Sequence, residues 1–140
     1  MPEARPRFDL SRLFLVGPLA IAVAVLAVLA VRVVAFAVLA LPVAFPPLGW
    51  GPLVLFTAFF VTVAVLVFAV VARRAADPAG TYRRVALVAL IASLVPDLLL
   101  PLDGTSGATW PAVIVLMVMH VAAWWPTVRI LTTLGLSPSR

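Results

Sequence analysis

The sequence predicts an all-α fold: a single integral membrane domain built as a bundle of four transmembrane helices. Three observations lead there. Hydrophobic residues make up 65% of the 140-residue chain and charged residues only 11%, against roughly 45–50% and 25% in an ordinary soluble domain. So little polar surface cannot cover so large an apolar content, so lipid must solvate most of the chain. The apolar residues also fall into four runs separated by turn-forming residues, and the arginines cluster on one side of those runs.

The first span is expected over residues 13–41, interrupted by Gly17, Pro18 and Arg32. It exceeds the ~20 residues that cross ~30 Å of hydrocarbon, so it tilts or its ends leave the core. Pro18 fits a first helical turn, where its missing N–H costs nothing. A cleaved signal peptide competes, with Ala35 and Ala37 in an A-x-A arrangement. Signal peptides, however, carry short apolar segments of ~7–15 residues without arginine, so the first run is expected to be retained.

Residues 42–52 hold Pro42, Pro46, Pro47, Gly49, Gly51 and Pro52, which turn the chain, and Trp50, which suits an interfacial aromatic belt. The second span covers 53–72, with Thr57 and Thr62 as its polar residues; Phe56, Phe59 and Phe60 read as packing or lipid-facing side chains. A polar connection from Arg73 to Arg84 follows, in which Asp77-Pro78 or Thr81 can cap the next helix. The third span covers 85–100 and contains Ser93, Pro96 and Asp97. A second turn occupies 101–111, and the fourth span covers 112–131, with His120, Trp124, Trp125 and Pro126. Trp124-Trp125-Pro126 reads as packing plus a kink. The first ten and last five residues read as unstructured.

The net charge of +5 comes entirely from arginine, since the chain has no lysine. In a soluble protein that excess raises the question of nucleic acid; beside apolar runs it reads as membrane topology. Arg5, Arg7, Arg12, Arg73, Arg74, Arg83, Arg84, Arg129 and Arg140 all fall on one side of a four-span arrangement. The positive-inside rule places that side, with both termini, in the cytoplasm of a multi-pass plasma-membrane protein.

Cysteine is absent, which removes disulfides, thiolate metal sites and thiol nucleophiles. No nucleophile elbow, zincin helix, P-loop or dinucleotide turn occurs, so no catalytic residues are assigned. The ligand inventory is too small for a metal site, and no cofactor is expected. A haem or chlorophyll on His120 would need a second ligand that the chain lacks, or a five-coordinate site.

The candidate polar cluster is Arg32, Asp97 and His120, the ionisable residues inside the expected spans. At 1.5 Å per residue, Arg32 lies ~20–28 Å along an outward-running helix, Asp97 ~18 Å along another, and His120 ~12 Å below the outer end of an inward-running one. All three therefore share the outer half of the bilayer, and an Arg32–Asp97 pair, with or without His120, is geometrically open. Three readings stand: a polar pocket for a small anionic or amphipathic ligand or a proton relay, an ion pair that glues helices together, or an Arg32 that snorkels to the outer headgroups.

The order of these features resembles an uncharacterised family of four-helix bacterial membrane proteins, common in actinobacteria and known only as a domain of unknown function. The resemblance runs from about Leu13 to Leu134. It rests most on Ser93-Leu94-Val95-Pro96-Asp97 and on His120-Val121-Ala122-Ala123. That family resembles this chain in topology and implies no activity; an uncharged polar residue usually stands where this chain has Arg32.

The leading functional expectation is a non-enzymatic membrane protein that binds a lipid-like ligand or a membrane partner. A small transporter using Asp97, or an accessory subunit of a larger membrane complex, is the alternative. The expected partners are the lipid bilayer and a second copy or another membrane protein, with no nucleic acid.

Overall fold

The computed structural model describes residues 7, 8 and 10–137. Its elements are β1 (Arg7–Phe8), α1 (Leu10–Val38), a 3-10 turn (Pro46–Leu48), α2 (Trp50–Arg74), α3 (Pro78–Leu99), α4 (Trp110–Leu134) and β2 (Leu136–Ser137). Apart from the two-residue ladder the fold is helical, with four long helices.

Each helix end has a local cause. Asp77 accepts a hydrogen bond from the Gly80 backbone N–H at 3.0 Å, and Pro78 opens α3 beside it. Asp77, not Thr81, is therefore the cap. Thr109 accepts from the Ala112 N–H at 3.4 Å and starts α4. Pro18 lies in the interior of α1 rather than in its first turn, because the helix begins earlier, at Leu10. It removes one backbone hydrogen bond there, which neighbouring helices tolerate in a bundle. α3 likewise starts seven residues before Val85, so Arg83 and Arg84 belong to its first turns.

The helices form a ring. α1 packs on α2 and α4, and α3 packs on α2 and α4, so α1 and α3 occupy opposite corners. Four antiparallel passes put Arg12, Arg73, Arg74, Arg83, Arg84 and Arg129 toward one end, the arginine end. The loops 39–49 and 100–109 meet at the other, the loop end. Arg5 and Arg140 lie outside the described residues. Residues 7–8 and 136–137 are not unstructured: Arg7 pairs with Ser137 and Phe8 with Leu136, antiparallel. The ladder forms because α1 and α4 are neighbours, so their free ends leave the bundle side by side.

Two apolar clusters fill the interior. The one toward the arginine end joins Ala20, Ala24, Val65, Phe68, Tyr82 and Leu131, among others; Phe68 and Tyr82 meet edge to face, 5.1 Å between centroids. The cluster toward the loop end joins Val28, Phe45, Leu48, Leu53, Val113, Leu116 and Met119, and no α3 side chain is among its buried members. At the loop end Gly107 has φ 75°, and a Cβ there would stand 2.9 Å from the Phe45 backbone nitrogen. Glycine thus lets the two loops touch.

Three helices, over Ser11–Val38, Trp50–Arg74 and Trp110–Leu134, are long and apolar enough to cross a membrane. Only 17% of the most apolar stretch of each of the first two is buried inside the bundle. Phe14, Leu15, Phe56, Phe59, Phe60, Leu66 and Val88 all point outward. Such a perimeter is apolar where a water-soluble bundle would be polar. α3 differs: between Arg84 and Asp97 its apolar stretch is residues 85–96, or ~18 Å of helix.

Candidate functional site

α3 buries one narrow stripe. Tyr82, Ala86, Leu90, Ser93, Leu94 and Asp97 recur at three- and four-residue intervals and face the bundle fully or in part, while Val85, Leu87, Val88 and Ile91 face outward. Toward the loop end this stripe turns polar. The Ser93 hydroxyl donates to the Leu90 carbonyl at 2.7 Å. Pro96 has no N–H, so the carbonyl one turn back, at Ala92, loses its helical donor just before Asp97.

Asp97 is 6% exposed. Its Oδ2 lies 3.2 Å from Nδ1 of His120 on α4. The same Nδ1 is 2.9 Å from the Leu116 carbonyl oxygen, one turn earlier on α4. A carbonyl can only accept, so Nδ1 carries the proton and donates it to Leu116, with Asp97 Oδ2 a close neighbour rather than a directed acceptor. Oδ2 receives no well-directed hydrogen bond and is fully enclosed. The imidazole is about one-third exposed, 32%, and with Nδ1 engaged its Nε2 is the atom left to bind something else.

One turn further along α4, on the same face as His120, stands Trp124. Its indole N–H is buried without a hydrogen-bond acceptor among the described residues. α3 and α4 therefore hold a buried acceptor at Asp97 and a buried donor at Trp124, both without directed partners, with Trp124 packed against the apolar cluster toward the arginine end. Buried polar groups are ordinarily satisfied, and such orphans commonly mark a missing water, ion or ligand. In the sequence Trp124 reads as packing, and its i, i+4 relation to His120 is the signal that marks it otherwise.

Along the same α3–α4 seam runs an open apolar groove lined by Leu94, Ile114, Met117, Val118 and Val121. Leu94 is one turn from Asp97, and Met117 one turn from His120. The seam thus offers polar atoms and an apolar channel at one depth.

Arg32 is elsewhere. Its Nε donates to the Leu48 carbonyl at 2.7 Å. Its guanidinium carbon sits 3.8 Å from the Trp50 ring centroid and 4.5 Å from that of Phe36. Of the three cluster residues the structure brings together Asp97 and His120 and leaves Arg32 apart, because α1 and α3 lie across the ring from each other. Among the described residues no three His, Cys, Asp or Glu side chains gather as a metal set.

A four-helix bundle with an apolar perimeter, three helices of membrane-spanning length and a buried carboxylate–imidazole pair defines a membrane-type helical protein. Residues 8–133 match the Family of unknown function (DUF6069), and the chain belongs to that family. No curated protein and no solved structure matches the chain.

Proposed function

We propose that the chain is a four-span protein of the bacterial cytoplasmic membrane, with both termini in the cytoplasm, that binds a lipid-like ligand with a hydroxylated head at the α3–α4 seam. The topology is supported by the seven described arginines at one end of the bundle, Arg7 of the terminal ladder among them, against Arg32 alone near the other. α3 completes the fourth span if Arg83 and Arg84 reach the inner headgroups along their own stems.

The ligand reading rests on one observation: the buried Asp97 and the part-exposed His120 lie one turn from an apolar groove, and Asp97 Oδ2 has no hydrogen-bond partner among the described residues. The part-exposed His120 offers Nε2, and the enclosed Asp97 Oδ2 and Trp124 N–H are an acceptor and a donor that a hydroxylated head would satisfy on opening the seam. A hydroxyl both donates and accepts, so a polyol head matches this set better than a carboxylate does. The groove would take the acyl chain.

The experiment is a thermal-unfolding series in detergent with 1-monooleoylglycerol, compared with oleic acid. The reading expects stabilisation by the glycerol ester, weaker stabilisation by the acid, and loss of the difference in Asp97→Asn. Equal responses of the native chain and Asp97→Asn would overturn it.

The same buried carboxylate supports a second reading, a small transporter or transporter subunit coupling protons through Asp97. Proton flux into dye-loaded proteoliposomes that vanishes in Asp97→Asn would favour it over simple binding.

A further inference from the structure

We propose that Arg32, held by Leu48, Trp50 and Phe36, is a binding site for a phosphate group at the loop end of the bundle. The inference rests on the four-span reading and is independent of the α3–α4 ligand.

Arginine carries five N–H donors in a fixed planar fork. Here one of them, at Nε, is used on the Leu48 carbonyl. The two Nη atoms donate to no group among the described residues, and no carboxylate there pairs with the charge. Leaving four N–H groups and a full charge unmatched is costly in a chain whose perimeter is apolar. Exposure alone would be the ordinary answer, but this side chain is not free to wander. It is half-buried, hydrogen-bonded to the backbone across sixteen residues, and flanked by two aromatic rings.

The geometry also fixes what can bind. The Nε bond and the stack on Trp50 set the plane of the fork, so its remaining edge is presented in one direction. A planar pair of Nη donors matches two oxygens of a phosphate, in the bidentate arrangement at which arginine exceeds lysine. The aromatic faces raise the local preference for the cation and exclude water from its sides. Ordering the side chain in advance removes part of the entropy that anion capture would otherwise cost.

The location selects the source. Trp50 is 53% exposed at the start of α2, level with Arg32, as an interfacial tryptophan is. Arg32 is six residues before the end of α1, below the tip of the bundle. A phospholipid headgroup of the outer leaflet reaches this level with its phosphodiester. A soluble phosphate shares the chemistry and would have to enter from the water side.

The test is native mass spectrometry of the full chain from detergent, in three arms: dioleoyl phosphatidylglycerol, dioleoylglycerol with the same tails and no phosphate, and inorganic phosphate. The expected result is one phosphatidylglycerol retained under activation that strips dioleoylglycerol. Arg32→Gln should lower that retention about tenfold, the scale of one charge-assisted hydrogen-bond pair. Arg32-dependent retention of inorganic phosphate, with none for the lipid, would keep the site and identify a soluble anion as its occupant. Phosphatidylglycerol retention unchanged in Arg32→Gln would overturn the proposal. Should that variant not fold, Arg32→Lys decides: it keeps the charge but loses the planar fork, so retention at least about threefold weaker supports the site and unchanged retention refutes it. Because Asp97 and His120 are intact in both variants, a stabilising response to 1-monooleoylglycerol reports separately on the α3–α4 reading.

Discussion

Nδ1 of His120 lies 3.2 Å from Oδ2 of Asp97 and 2.9 Å from the carbonyl oxygen of its own helix at Leu116. The imidazole is thereby held in the tautomer whose Nδ1 proton is donated to the Leu116 carbonyl, beside a buried carboxylate that receives no directed hydrogen bond, and its second nitrogen is released.

The first prediction concerns this pair. His120→Ala leaves the buried Asp97 carboxyl without its neighbouring imidazole and should destabilise the protein by about 2 kcal/mol, the scale for an unsatisfied buried polar group. Asp97→Leu in the same chain removes that polar group and should recover much of the loss. Thermal unfolding of the two single variants and the double variant in detergent checks it, and strictly additive losses would show that the two residues are independent.

The second concerns Arg32. Its partners are Leu48, Trp50 and Phe36, with no share in the Asp97 contact. Arg32→Gln should cost about 2 kcal/mol, from one charge-assisted hydrogen bond and the aromatic stack. Combined with Asp97→Asn, the losses should add within about 0.5 kcal/mol. A larger coupling would mean that the two helices across the ring communicate after all.

The third concerns topology. The chain has no cysteine, so single-cysteine variants need no background removal. Thr105→Cys should react with a membrane-impermeant maleimide on intact cells, and Ala79→Cys only after lysis. Labelling of position 79 from outside would overturn the four-span orientation.

The fourth concerns the contact between the loops. Gly107→Ala meets both a left-handed φ and the Phe45 backbone at 2.9 Å, whereas Gly104→Ala meets only φ 69° with open space around it. The Gly104 variant should cost about 1 kcal/mol for its backbone alone. The Gly107 variant should cost distinctly more, and equal unfolding temperatures would show that the loops part easily.

The helical bundle was legible in the sequence because a run of apolar residues long enough to cross a membrane has few other uses. That Asp97 and His120 come to one level of the bundle was legible too, since counting residues from a helix end gives relative height directly. Height is one coordinate of two, however. Arg32 shares it roughly with Asp97 and still sits at another corner, because the order of helices around a ring is set by packing that no single span records. The apolar run alone puts Pro18 in a first turn, whereas the helix continues back through Arg12 and Ser11 to Leu10. Trp124 was read as packing because an indole is mostly hydrocarbon, and only the enclosure of its N–H marks it as polar. The terminal ladder is two residues long on each side, below what any alternation pattern can announce.

The central claim, that Asp97 fixes His120 and leaves Nε2 for a ligand, is most directly tested by nitrogen-15 NMR of the imidazole. His120 is the chain's one histidine, so its spectrum needs no assignment. The account predicts the Nδ1–H tautomer for the neutral imidazole in the native protein. It also predicts a shift at Nε2 on adding 1-monooleoylglycerol, and a changed tautomer balance in Asp97→Asn. A native spectrum dominated by the Nε2–H tautomer, indifferent both to the lipid and to Asp97→Asn, would contradict it.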